Sequence, residues 1–220
     1  MEKLEAKFKA NGGEFREFCL DELFISSNGD SDIQQRHINS KGELVVSSGE
    51  NEMGIIGRSD VKAKIFEANT LTIDMFGNVF YRNHSYKMVT HARVFSLKFK
   101  NPNFTAKAML YVCTLMKWFK LKFSYSNMAS WKKVKDLTIF LPTQKGKIAF
   151  EFMEDYIAEL QAERVRELQA YLAAAGLSDY KLTKEEKEAL NSFERLTNER
   201  ERERERETRS KLKFSLYNAA

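Results

Sequence analysis

Proline is nearly missing from this chain: there are two in 220 residues, Pro102 and Pro142. They are far apart, so an Asn-Pro-Pro-aromatic motif of the methyltransferase kind cannot exist here. Cysteine is equally scarce. Cys19 and Cys113 stand far apart with no metal-ligand spacing, which predicts two unpaired thiols and suits a reducing cytoplasm. The three histidines, His37, His84 and His91, are scattered, with no pair at helical spacing, so no metal site is expected. No apolar run reaches the roughly 18 residues that a membrane span requires. The opening "MEKLEAKFKANGG" is charged and lacks an apolar stretch, so no signal peptide and no membrane partner are predicted. There is no Gly-rich phosphate loop ending in Lys-Ser/Thr, and no Gly-rich strand–turn–helix for S-adenosylmethionine.

Acidic residues are missing from one long region. Between Arg82 and Lys147 stand 14 basic residues and a single acid, Asp136. A nuclease site usually gathers two or three carboxylates around a metal, and this region has one. No catalytic residue, cofactor or metal is therefore assigned, and the basic region reads as a binder. Residues 1–150 hold 23 Lys and Arg against 15 Asp and Glu, a net +8, whereas residues 151–220 hold 13 against 16, a net −3. Uncompensated positive charge of this density seeks a polyanion, of which nucleic acid is the commonest. A generically basic surface is the plainer alternative.

What is present follows a regular order. Residues 1–13 form a short N-terminal helix segment, with Glu2 to Lys9 helical and Asn11-Gly12-Gly13 as its stop. From "ELVVSSGENEMGIIGRSD" the pattern is strand, turn, strand. "NTLTIDMFGNVFYRN" predicts a hairpin: Leu71 and Ile73 alternate with Thr70 and Thr72, Gly77-Asn78 turns the chain, and Val79-Phe80-Tyr81 returns. "ARVFSLKF" predicts a strand over Ala92 to Phe99, and the spacing of apolar residues predicts a helix from Thr105 to Phe119. "DLTIFL" predicts a last strand, Asp136 to Leu141, ended by Pro142.

The chain then changes character. Met153, Ile157, Leu160, Leu168 and Tyr171 recur at steps near 3 and 4 in a run of good helix formers closed by Gly176, although Arg164 falls on the seam. A second helix opens at Thr183, where Glu186 three residues on makes a capping box. Two such helices with little else to bury them imply a partner helix. The alternative is that they fold back on the first domain. The fold class is accordingly α+β: one mixed α/β domain over 14–150, a long helical, coiled-coil-like segment over 151–208, and a tail over 209–220.

The motifs together resemble the DNA-specificity subunit of type I restriction–modification systems and the similar subunits of type IIB and IIG relatives. The residues that carry the resemblance are "EFREFCLDELF", "SSGENEMGIIGRSD", "IDMFGNVFYRNHSYKMVTHARVFSL", "WKKVKDLTIFLPTQKGKIAFEFMEDYI" and "LTKEEKEALNSFERL", in that order, over about Glu14 to Leu196. The resemblance implies a target recognition domain over 14–150 that reads one half of a bipartite site in double-stranded DNA. It implies that residues 151–208 are a spacer and a docking surface for the modification (methyltransferase) subunit, with a restriction subunit as a further partner. It implies no chemistry in the chain itself. Such subunits usually carry two recognition domains, whereas this sequence shows one. A homodimer through Met153, Ile157, Leu160, Leu168 and Tyr171 would restore two.

The DNA contacts of such domains do not transfer by motif. Candidates near turns are Arg58, Arg82, Asn83, His84 and Lys87, with a second cluster at Asn127, Ser130, Lys132 and Lys133 around Trp131. These residue types bond phosphates and base edges. Ordinary solvated surface is the alternative for each. Two other function classes stay open: a nuclease or methyltransferase with an unrecognised site, which turnover by the chain alone would reveal, and an RNA-binding or regulatory module, which would lack duplex preference.

"ERERERERE", Glu199 to Glu207, alternates charge strictly. Helical ion pairs favour spacings of three or four residues, and alternation puts like charges at i and i+4, so a protein-level reason is weak. Glu as GAG and Arg as AGA would encode the run by a pure GA tract, which slips in replication. The expectation is a phase-variable gene in which "TRSKLKFSLYNAA" is an out-of-frame tail. Mixed synonymous codons across the run would end that idea.

Overall fold

A computed structural model describes residues 2–102, 104–177, 183–185 and 187–188. The chain divides into two units, residues 1–164 and 165–220. The first opens with helix α1 (Glu2–Ala10), strand β1 (Gly13–Cys19), the short helix α2 (Leu20–Leu23) and β2 (Phe24–Asn28). Next come β3 (Glu43–Val46), β4 (Ile55–Ser59), β5 (Thr70–Ile73), β6 (Val79–Arg82), β7 (Tyr86–Met88) and β8 (Phe95–Phe99). Helix α3 (Ala106–Leu115), α4 (Trp131–Val134), β9 (Thr138–Gln144), β10 (Lys147–Ile148) and the first part of the long helix α5 (Phe150–Ala174), whose residues from 165 on belong to the second unit, complete it. The mixed α/β class holds.

The strands make three small sheets. The central one has the order β2-β8-β5-β6 and is antiparallel throughout. A second has the order β4-β3-β7, with β3 antiparallel to β4 and parallel to β7. The third, β1-β9-β10, joins the two ends of the domain in one ladder, from Gly13 opposite Gln144 to Cys19 opposite Thr138. The expected hairpin forms, with Ile73 opposite Val79 and Thr70 opposite Arg82. Its threonines are not wet, however. Thr70 and Thr72 are as buried as Leu71 and Ile73, because β5 lies inside a covered sheet. Burial requires their hydroxyls to bond: Thr70 Oγ1 lies 2.9 Å from the Tyr86 hydroxyl, and Thr72 Oγ1 accepts from Arg82 Nε.

Two apolar clusters hold the unit. The larger gathers Leu71, Ile73, Leu97, Met109, Val112, Met116, Phe119, Leu141 and Met153; the smaller gathers Ile33, Val45, Val46, Phe66, Tyr86 and Met88. The Tyr86 hydroxyl ties them, also donating to Ser96 Oγ at 2.7 Å.

Three sequence expectations shift at their edges. The helix expected over Thr105–Phe119 stops at Leu115 and tightens into a 3-10 turn, Lys117–Leu121, with Thr105 as its N-cap through an Ala108 N–H donated to Oγ1. The strand expected from Ala92 begins at Phe95, because Arg93 turns the chain at φ +52°. The last strand does not end at Pro142. It runs to Gln144, and Pro142, which has no N–H to give, still accepts from Ala149 N at 2.9 Å. Helix α5 ends where Gly176 predicts, in a Schellman closure with Gly176 N donating to Ala173 O and Leu177 N to Leu172 O. The helix expected from Thr183 lies for the most part outside the described residues, as do the Glu-Arg run and the tail. Among the described residues no helix is long and apolar enough to cross a membrane.

Candidate nucleic-acid interface

Four connecting segments meet at one end of the first unit: the β3–β4 loop, the β5–β6 turn, the β7–β8 turn and the stretch between α3 and α4. The meeting is built from specific bonds. Asp74, buried at the start of the β5–β6 turn, accepts N–H bonds from Phe76 and Asn78 and reaches across to Gly49 N at 3.0 Å. Ser48 Oγ donates to Ala92 O at 2.5 Å, tying the β3–β4 loop to the β7–β8 turn. Ala129 N donates to Met75 O at 2.8 Å, and Lys120 Nζ lies 2.6 Å from Glu50 Oε1. Gly77, at φ +80°, lies against the Phe119 backbone, where a Cβ would come within 2.7 Å of the carbonyl oxygen. The Gly-Asn turn therefore fixes how closely the α3–α4 stretch approaches.

A groove opens at this end, bordered by Asn28, Thr90, Arg93, Tyr125, Ser126, Ser130 and Lys133, with Trp131 half-buried in its wall. Arg93 sits at the apex of its turn and donates from Nη1 to Met128 Sδ at 2.9 Å. Lys133 Nζ bonds Asn127 Oδ1 at 2.8 Å and Met128 O at 2.9 Å. Tyr125 stands 77% exposed. An exposed aromatic ring between cations suits stacking on a base or packing on a sugar. Of the second candidate cluster, Ser130 and Lys133 line this groove, Asn127 is bonded to Lys133, and Lys132 is exposed next to it.

Burial divides the first cluster. Arg82 is only 1% exposed, so it is corrected from a candidate reader to an interior cation. Its Nε donates to Thr72 Oγ1 at 2.9 Å and its Nη2 to Met53 O at 2.7 Å, and its guanidinium lies over Phe80 and Tyr86. Burial pulls its pKa down to about 10. Lys87 is also interior, 4% exposed, with Nζ donating to Ser59 O at 3.0 Å and Val61 O at 2.6 Å. Neither reaches solvent as it stands. Asn83 is exposed and His84 half-buried, at the end of β6 away from the Asp74–Asn78 turn, and Arg58 on β4 donates to Gly42 O. They belong to the other end of the domain.

The expected helix seam divides as well. Met153 and Ile157 are buried in the first unit's core, so they are corrected from interface to core; Leu160 is half-buried; Leu168 and Tyr171 are exposed. Sequence reasoning missed Arg93, Tyr125 and the β3–β4 loop. Arg93 follows "THA" in what reads as a strand entry, and its left-handed backbone has no signature in a non-glycine residue.

The mixed α/β unit, with four loops gathered at one end and a long helix continuing from it, falls in the class of DNA-specificity domains. The chain belongs to that family: the model described as the Type I restriction modification DNA specificity domain matches residues 13–170. The specificity subunit S.BcgI of a type II restriction enzyme from Heyndrickxia coagulans is 28% identical over 153 residues, which cover 66% of this chain and 43% of that protein. The fold is similar to the S subunit of a type I restriction–modification system from M. genitalium, with a TM-score of 0.50, 16% identity, and coverage of 82% of this chain and 49% of that one. A chain from a structure on complex assembly and conformational transition of the type I R-M system gives a TM-score of 0.52 at 16% identity, covering 73% of this chain and 41% of that one. The chain spans less than half the length of each of these relatives.

Proposed function

We propose that this chain reads duplex DNA sequence as a specificity subunit, bringing a modification (methyltransferase) subunit and a restriction subunit to a half-site without chemistry of its own. The Arg93–Tyr125–Lys133 groove, lined by the β7–β8 turn and the α3–α4 stretch at the end where four loops are tied together, carries this reading. Basic side chains there hold phosphates, while Asn28, Ser126, Asn127 and Ser130 offer donors and acceptors to base edges. Exposed Val165, Leu168 and Tyr171 on α5 supply a surface for a partner helix, and a second copy of this chain is the partner proposed.

A band-shift of the full chain, with and without its modification subunit, on duplex DNA of varied sequence tests the reading. The expected result is sequence-selective binding. If about five phosphates are neutralised, log K falls against log salt with a slope of roughly −4 to −5. A slope near zero, or equal affinity for RNA, counts against it. Sedimentation of the chain alone tests the second copy: a monomer at high micromolar concentration overturns the homodimer.

A further inference from the structure

The β3–β4 loop, Ser48 to Gly54, is strained and over-determined. Glu52 and Met53 both hold left-handed backbone, at φ 48°, ψ 32° and φ 54°, ψ 33°. Two consecutive non-glycine residues in that region are strained and persist only when the surroundings impose them. The surroundings here are identifiable. Ser47 N closes the loop onto Gly54 O at 2.8 Å, Asp74 holds Gly49 N, and Lys120 holds Glu50. From beneath, Arg82 Nη2 grips the Met53 carbonyl.

That last contact is costly. Among the described residues no carboxylate forms an ion pair with the buried Arg82, and none accepts from its Nη1. An interior cation left this poorly compensated weakens the fold. Its attachments are one strand hydroxyl, two aromatic rings and the strained loop. Above the loop, Asn51, Glu52 and Met53 are exposed. Glu50 is engaged by Lys120, which leaves the Glu52 carboxylate and the Asn51 amide as the polar groups the loop presents.

We propose that Asn51 and Glu52 are base-reading residues of the DNA site, and that Arg82 is their positioning residue, holding the loop rigid from below. This rests on the DNA-reading function proposed above. The chemistry is selective in both directions. A carboxylate on a phosphate-binding end repels the backbone, so it is tolerated where it accepts from an exocyclic amine in the major groove, as cytosine N4 offers. Against a base lacking that donor it stays desolvated and unpaired, which discriminates by exclusion. An Asn amide pairs in two places with adenine N6 and N7. Rigidity is needed because a reader displaced by an ångström loses its bond.

The test uses the full chain with its modification subunit and a pool of duplexes with a randomised core, selected by binding and sequenced. Asn51→Ala and Glu52→Gln are each expected to relax one position of the selected site by roughly 10- to 100-fold. Glu52→Gln leaves binding to random duplex equal or tighter. Met53→Gly separates positioning from folding. It removes left-handed strain, so the melting temperature holds or rises, yet the selected site broadens because the loop loosens. Arg82→Lys, which keeps the charge but loses the fork, broadens the same positions as Met53→Gly. If the wild-type complex selects a site and Asn51→Ala, Glu52→Gln and Met53→Gly all select the same one, the loop is a structural turn and the inference fails while the DNA-reading function stands. If the wild-type complex selects no site, both fail together.

Discussion

The two halves of α5 carry the same kind of sequence and meet different fates. In the first half Phe152, Met153 and Ile157 are buried in the domain core, with Phe152 stacked on Phe8 at 4.1 Å. In the second half Val165, Leu168 and Tyr171 are 53%, 57% and 67% exposed. Apolar residues at steps of three and four specify a helix with one apolar face; they do not specify what covers that face. The first half is part of the α/β unit that precedes it, and only the second leaves its apolar side chains exposed. The basic residues divide in the same way. Lys87 serves as an interior donor to two carbonyls, whereas Lys133 stands at the rim of the groove.

The largest effect that would break this comparison comes from one substitution in each half. Met153→Glu places an uncompensated carboxylate in the core and costs about 3–5 kcal/mol. Denaturant melts should show the first unit unfolded or nearly so. Leu168→Glu, on the exposed half, changes stability by less than about 0.5 kcal/mol and is expected to abolish the self-association proposed above, read by sedimentation. Equal destabilisation by the two would mean that the halves are not distinct.

The basic residues give the next effect. Lys87→Met leaves the Ser59 and Val61 carbonyls without their donor and costs about 1–3 kcal/mol, with no change in the salt slope of DNA binding. Lys133→Met, in an exposed position, leaves stability within about 1 kcal/mol and flattens the slope by about 1. A flattened slope for Lys87→Met would return that residue to the interface.

Much of this division could not be read in advance. The hairpin around Gly77-Asn78 was legible because period-2 alternation and turn chemistry are local, and the end of α5 at Gly176 was legible for the same reason. What hid was burial. Thr70 and Thr72 alternate with Leu71 and Ile73 as on a half-wet strand, yet the sheet is covered on both faces, which no local pattern records. Arg82 and Lys87 sit in a basic stretch indistinguishable by composition from Lys132 and Lys133. Three of their four acceptors, Met53, Ser59 and Val61, lie more than 20 residues away in sequence. Of the candidate site, the Asn127–Lys133 cluster was legible through its dense polar and basic residues beside an aromatic. Arg93 and the Glu52–Met53 pair were not, because left-handed backbone in non-glycine residues is imposed by tertiary contacts.

The smallest effect probes the core-bound half of α5 from the other side. Tyr111 on α3 meets Tyr156 edge-on at 5.3 Å, and burial, with Tyr156 and Glu5 adding to it, pushes the Tyr111 phenol up to about 12. The neutral phenol is thus favoured in the folded state. Below pH ~10 the phenol is neutral folded or unfolded, and its contribution to stability is fully present. Above that pH the unfolded chain ionises first, so stability falls as pH rises toward about 12. Tyr111→Phe removes this part of the alkaline decline, at the cost of whatever the hydroxyl contributes at neutral pH. Melts of the wild type and Tyr111→Phe between pH 9 and about 12 compare the slopes. A decline that survives Tyr111→Phe unchanged would show that this phenol is not held neutral by the contact between α3 and the first half of α5.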